Sequence, residues 1–257
     1  RNPPASEHRW TLTTGFIGSY TEQTVNREFL YLQAQYFGSR FTGYLAQEVD
    51  YNRAWKVSEA DESVVSPSST FANFHVRASR RLTFYGGYDN RRRVRLYWDR
   101  VTPATLFDDS HRQGAWTGAS LRLGEHWFTS ADARTSTGGS AGRADGYSAS
   151  LGVDRLTRAN LDVRGRSTRY SNDRSDGWLY SISTGAGLGQ RLHLDLTAGR
   201  LQETNLTDPA QDRNTDWYGI DLDVLLGRSW YLLLSGERNR GSQESNDQFY
   251  ASLTFRF

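Results

Sequence analysis

Charged side chains in this 257-residue chain recur at every second position, and that spacing limits the chemistry they can do. His75 and Arg77 lie two apart, as do Asp132 and Arg134, His193 and Asp195, and Asp221 and Asp223. Asp162, Arg164 and Arg166 extend the pattern to three, and Arg122 keeps the same parity within its own segment. In an extended chain, residues two apart project to the same side, so each set shares one face. A face carrying both signs can neutralise itself as a ladder of ion pairs, or stay hydrated and line a polar path. Neither chemistry excludes the other.

A second concentration is basic. Arg91, Arg92, Arg93 and Arg95 run into Tyr97 and Trp98. Guanidinium groups beside aromatic rings can contact anions, sugars or lipid head groups, and such a segment can also fold inward as a constriction. Asp108, Asp109 and His111 have the composition of metal ligands in a spacing too common to mean more, so no metal site is expected. Acyl-transfer chemistry would need a nucleophile beside a histidine–acid pair. His193 and Asp195 share a face without a nucleophile signature, and His75, His111 and His126 also lack one. The expectation is a chain that is not an enzyme and takes no cofactor. No glycine-rich phosphate loop opens a helix, so nucleotide binding has no support. A net charge of +2 gives no ground for a nucleic-acid partner, and with no cysteine there is neither a disulfide framework nor a thiolate site.

The elements that carry these charges are legible from the positions between them. Ala72, Phe74, Val76 and Ala78 alternate with Asn73, His75, Arg77 and Ser79; Leu192, Leu194, Leu196 and Ala198 alternate with His193, Asp195 and Thr197. Tyr218, Ile220, Leu222 and Val224 do the same around Asp221 and Asp223. Such period-two patterning predicts strands with one apolar and one polar face. About fourteen segments show it, near 9–20, 27–37, 40–52, 69–79, 82–90, 115–123, 126–135, 145–155, 158–170, 177–188, 191–202, 216–226, 229–239 and 247–257. The longest apolar run, Trp230–Leu234, is far short of the roughly eighteen residues of a membrane helix. A membrane strand needs only about 10 residues with every second one apolar, so a chain can span a bilayer at 37% hydrophobic content and a mean hydropathy of -0.70.

The connections alternate in length. Short ones are expected at 38–39, 80–81, 124–125, 156–157, 189–190 and 227–228, and longer polar ones near 21–26, 53–68, 91–114, 136–144, 171–176, 203–215 and 240–246. That rhythm suits an up-and-down meander whose two ends face different compartments. The predicted fold class is all-β: a transmembrane up-and-down antiparallel β-barrel of about fourteen strands, within roughly twelve to sixteen. At that size its backbone diameter is roughly 28 Å. Residues 9–257 form the barrel and 1–8, with two prolines, an N-terminal linker. Since the chain lacks an initial Met and a signal-peptide core, a leader or longer upstream region is expected outside this sequence.

The chain ends with Phe249, Ala251, Leu253, Phe255 and Phe257 on one parity. This resembles the closing strand of bacterial outer-membrane β-barrels of the porin type, which ends in an aromatic residue. The resemblance implies that Phe249, Leu253, Phe255 and Phe257 form a signal read by the membrane-insertion machinery. It also implies a location in the bacterial outer membrane among its lipids. Trp10, Trp127, Tyr147, Trp178 and Trp230 lie near strand ends on the apolar parity, as interfacial aromatics do. Trp116 and Trp217 fall on the polar parity instead. A soluble sandwich or barrel would turn the apolar face inward, around more core than these small residues fill. The functional expectation is an ion-pair-lined pore for transport or export of polar solutes or polymer. The alternative is a sheath or anchor around a lumen-filling partner: a periplasmic domain, a lipoprotein or an electron-carrying cytochrome.

Overall fold

A computed structural model describes residues 8–58, 63–97, 111–138, 142–156, 160–189, 191–227, 229–242 and 245–255. Fourteen strands follow one another: β1 (Arg9–Thr21), β2 (Thr24–Phe37), β3 (Phe41–Tyr51), β4 (Val65–Arg77), β5 (Leu82–Arg92), β6 (His111–Leu123) and β7 (Trp127–Thr137), then β8 (Ala144–Val153), β9 (Asp162–Asn172), β10 (Ser175–Leu188), β11 (Leu192–Asn205), β12 (Arg213–Leu226), β13 (Trp230–Gly241) and β14 (Ser245–Phe255). Their order in the sheet is their order in the chain, and every registered pair is antiparallel. This is the expected all-β, up-and-down class of the transmembrane β-barrel, with the expected strand count. The helical elements include a four-residue helix, α1 (Trp55–Ser58), and a 3₁₀ turn at Pro209–Gln211. No helix of these is long and apolar enough to cross a membrane.

Some connections differ from expectation. The segment expected as a long loop at 21–26 is a two-residue turn, with Glu22 and Gln23 at φ 50° and 65°. Both central residues at positive φ make a type I′ hairpin, whose twist matches that of the flanking strands, so the chain reverses without a loop. The connection at 171–176 is equally tight, closing at Asp173–Arg174, where the Asn172 carboxamide accepts from the backbone N–H groups of Arg174 and Ser175. Conversely, the turn expected at 156–157 belongs to a longer connection between Val153 and Asp162. Period-two patterning ends wherever the alternation fails, not where hydrogen-bond pairing fails, so turn lengths are its least legible product.

The sheet resolves into two compact units, one of residues 1–118 with 134–143, the other of 119–133 with 144–257. In the first unit, register places Trp10, Leu12 and Phe16 opposite Tyr36, Ala34 and Leu30 on one face. In the second, Leu194 faces Leu222, Leu222 faces Leu234 and Leu234 faces Ala251. These apolar faces are the exposed ones: Leu12 is 77% exposed and Phe249 76%. A water-soluble sheet buries such a face; a sheet solvated by hydrocarbon presents it outward. Apolar residues crowd its borders as aromatics, with Trp10, Tyr36 and Phe41 in ring contact at the short-turn end of the first unit. Trp230 and Phe255 pair likewise in the second, with ring centroids 4.7 Å apart. Beyond the apolar stretch, at the opposite end of the second unit's strands, the same face carries ion pairs. Arg200 reaches Asp216 at 2.6 Å, Arg169 reaches Asp176 at 3.1 Å, and Arg238 and Arg240 each reach Asp247 at 3.0 Å.

Candidate functional site

The polar face of the second unit is built in cross-strand rows. Asp162, Gly185, Asp195, Asp221, Ser235 and Tyr250 face one another in turn from β9 to β14. The next row is Arg164, Ser183, Thr197, Gly219, Glu237 and Gln248; the one beyond is Arg166, Ser181, Gly199, Trp217, Asn239 and Asn246. The expected residues Asp162, Arg164, Arg166, His193, Asp195, Asp221 and Asp223 therefore do share one face of one unit, because antiparallel pairing in register preserves side-chain parity.

Their pairing is sparse. His193 Nε2 lies 2.9 Å from Asp195 Oδ2, both side chains nearly half exposed at 48% and 45%. Arg122 reaches Asp154 only at 3.8 Å. Arg166 donates twice to the Ser148 hydroxyl, at 3.0 and 3.2 Å, and that hydroxyl donates to Asp132 at 2.8 Å. Arg164 lies over the Phe128 ring, 4.9 Å from its centroid. Among the described residues Arg164 and Asp221 have no ion-pair partner. Among the described residues, neutralised pairs are few on this face.

In the first unit, His75 stacks on Tyr85, its partner across β4 and β5, with centroids 5.7 Å apart. Arg77 follows at the strand end, and neither it nor Arg134 has an ion pair among the described residues. Of the basic run, Arg91 and Arg92 close β5, and Arg91 contacts Asp89 at 2.5 Å. Arg93 and Arg95 follow in the connection. Trp98, Asp108, Asp109 and Phe257 lie outside the described residues, as do residues 1–7 of the linker, and Phe249, Leu253 and Phe255 occupy β14 on the apolar face.

The most enclosed cluster in the first unit was not anticipated. Ten non-glycine residues are buried among those described, and eight of them fall between Val25 and Ser68. Arg27 is the hub. Its Nε donates to Asp50 Oδ1 at 2.8 Å, and its Nη2 donates to Glu48 at 2.7 Å, to Asp50 Oδ2 at 2.9 Å and to the Ser68 hydroxyl at 3.0 Å. Its guanidinium also covers the Phe29 ring at 4.1 Å. On the other side of β2, Arg53 forks onto both oxygens of Glu28 at 2.7 Å, and Tyr20 donates to the same carboxylate at 2.6 Å. The bond to Glu28 holds the Arg53 guanidinium above its ordinary value. The α1 turn then closes over the end of the sheet. The Trp55 indole donates to the Val25 carbonyl at 2.7 Å, and Tyr97 N–H donates to Asn26 Oδ1, also at 2.7 Å. Asn52 ties the return strand by donating to the Ser63 carbonyl at 2.8 Å. The arginine-rich connection after β5 thus meets the start of β2 at Tyr97. The signal available in the sequence was the shared parity of Glu48 and Asp50 near a strand end; the partner, Arg27, lies 23 residues from Asp50.

The two tryptophans on the wrong parity have a shared explanation. Trp217 lies over Gly199, its direct partner on β11, and Trp116 lies over Gly87 in the first unit; a Cβ on either glycine would intrude on the ring. Each indole takes the place of the missing side chain of its neighbour on the polar face.

No protein-family model matches this chain, and no curated protein matches it. Among solved structures it is similar to OmpT, an outer-membrane protein of Vibrio cholerae, at 8% identity and a TM-score of 0.48, covering 96% of this chain and 95% of that one. It is similar to an anion-selective porin from Comamonas acidovorans at 10% identity and a TM-score of 0.45, covering 97% and 96%. It is also similar to the translocator domain of the autotransporter NalP from Neisseria meningitidis at 14% identity and 0.29, covering 97% and 80%. One expectation is corrected here. The chain was expected not to be an enzyme; that statement is withdrawn, because similarities at 8–14% identity establish catalytic activity neither way.

Proposed function

We propose that this bacterial outer-membrane β-barrel is a pore for small hydrophilic solutes, with the charged rows of its polar face forming the conducting wall. The observation that carries the reading is the unpaired state of the charges. Among the described residues Arg77, Arg134, Arg164 and Asp221 lack ion-pair partners, and His193 and Asp195 are nearly half exposed. Charges held in a dry interior pay a large desolvation cost unless paired, so unpaired ones require water. Water along a face of both signs is a path for ions and polar molecules. The pairs that do form tightly, around Arg27, sit at the loop end of β2 and β3 in the first unit.

Purified protein inserted in a planar bilayer should give discrete steps of ionic current. Well-inserted protein that passes no current, and stays silent after residues 93–110 are replaced by a short linker, would overturn the proposal in favour of a barrel filled by a partner.

A further inference from the structure

Beside the charged rows of the second unit lies a recess of about 180 Å³, whose chemistry is more specific than a polar wall requires. We propose that it binds a small zwitterion, one ammonium and one carboxylate on a short chain. This rests on the pore reading for access to the site from water.

The floor of the recess is Gly185. Asp162 flanks it on β9 and Asp195 on β11, in one cross-strand row. A Cβ on Gly185 would stand 2.6 Å from Asp195 Oδ1, so the carboxylate leans across the space that a side chain would occupy. The other oxygen of Asp195 is engaged with His193 at 2.9 Å, which fixes the orientation of the group. Asp162 spends Oδ1 on the backbone N–H of Arg155 at 2.9 Å, leaving its second oxygen without a hydrogen bond among the described residues. With adjacent strands about 4.8 Å apart, the two carboxylates bracket a gap roughly 10 Å across at the backbone, narrowed by the side chains themselves. That gap suits an ammonium group, which can donate to both.

One row further, Arg164 faces Ser183. Its guanidinium is held against the Phe128 ring and has no carboxylate partner among the described residues. Phe128 lines the recess too, so the stacked guanidinium borders the cavity. A planar, unpaired guanidinium is a carboxylate receptor in waiting, and the Ser183 hydroxyl beside it adds a donor. Cationic and anionic receptors two residues apart on one strand are what a zwitterion can satisfy at once. A simple cation would leave Arg164 unanswered, and a simple anion would meet Asp162, Asp195 and Asp154, which lines the recess too.

The test is calorimetric titration of the whole detergent-folded chain with γ-aminobutyrate, n-butylamine and butyrate, which share a chain length and differ in end groups. γ-Aminobutyrate should bind about fivefold more tightly than either single-ended probe. Arg164→Gln should remove its advantage over n-butylamine, and Asp162→Asn with Asp195→Asn its advantage over butyrate. Heat-modifiable gel migration reports folding of each variant, and if the double variant does not fold, Arg164→Gln alone decides. Equal binding of the three probes, no heat with any of them, or an unchanged preference in the Arg164→Gln protein overturns the inference. Current without probe binding leaves the pore standing and removes the site; probe binding without current does the reverse.

Discussion

Trp217 lies over Gly199 across β11 and β12, filling the place a side chain at Gly199 would take. The glycine is required by the ring and the ring by the bare backbone. Gly199→Ala should therefore destabilise the folded barrel by about 1–3 kcal/mol through overpacking. The loss should fall to near zero when Trp217→Leu is added, because the smaller side chain frees the site. Denaturant titration followed by gel migration checks both, and additive losses would refute the coupling.

The Arg27 hub makes a second strong expectation. Asp50 is 1% exposed, and Glu48 and Ser68 meet it through one guanidinium. Arg27→Met keeps the bulk and leaves a buried carboxylate uncompensated, a situation that costs about 3–5 kcal/mol. Adding Asp50→Asn should recover a substantial part of that loss. Unfolding midpoints in detergent measure it, and a loss below about 1 kcal/mol would place the cluster in water.

Face assignment can be tested independently of any transport. Leu194 and Leu222 face each other in the middle of the apolar face. An Arg at either position should cost about 2–4 kcal/mol of folding into a bilayer. An Arg at Thr197 or Ser183, on the polar face, should cost little. Equal tolerance at both sets would mean the faces were exchanged.

Conduction should respond to charge at the rows themselves. Arg164→Gln with Arg166→Gln leaves Asp162, Asp195 and Asp221 less compensated, so reversal potentials under a salt gradient should move toward cation preference. The shift should shrink above about 1 M salt, where the screening length falls to roughly 3 Å. Unchanged selectivity at low salt would place these arginines away from the conducting path.

The strands were legible because lipid and water on opposite faces impose a period of two on every one of them. Leu192 to Ala198 and Tyr218 to Val224 show it without interruption, and both segments pair as read. The parity of His193, Asp195, Asp221 and Asp223 followed from that alone. What alternation does not encode is the third dimension. Arg27 meets Asp50 and Ser68 because β2, β3 and β4 converge under the α1 turn, and nothing local to Arg27 announces partners 23 and 41 residues away. Trp116 and Trp217 read as exceptions for the same reason: the glycines beneath them lie on other strands. The Glu22–Gln23 reversal was hidden by its composition, since type I′ turns are usually marked by Asn-Gly or Gly.

The arginine–aspartate pairs beyond the apolar stretch of the second unit act as a waterline. Strands β11 to β14 continue past it without a break in hydrogen bonding, so their length alone would let the protein slide along the membrane normal. A shift of one residue pair, about 7 Å, would drag Arg238 and Asp247 into hydrocarbon. Immersion depth in this part of the molecule is thus set by where charge begins, and the strands are free to be longer than the bilayer is thick.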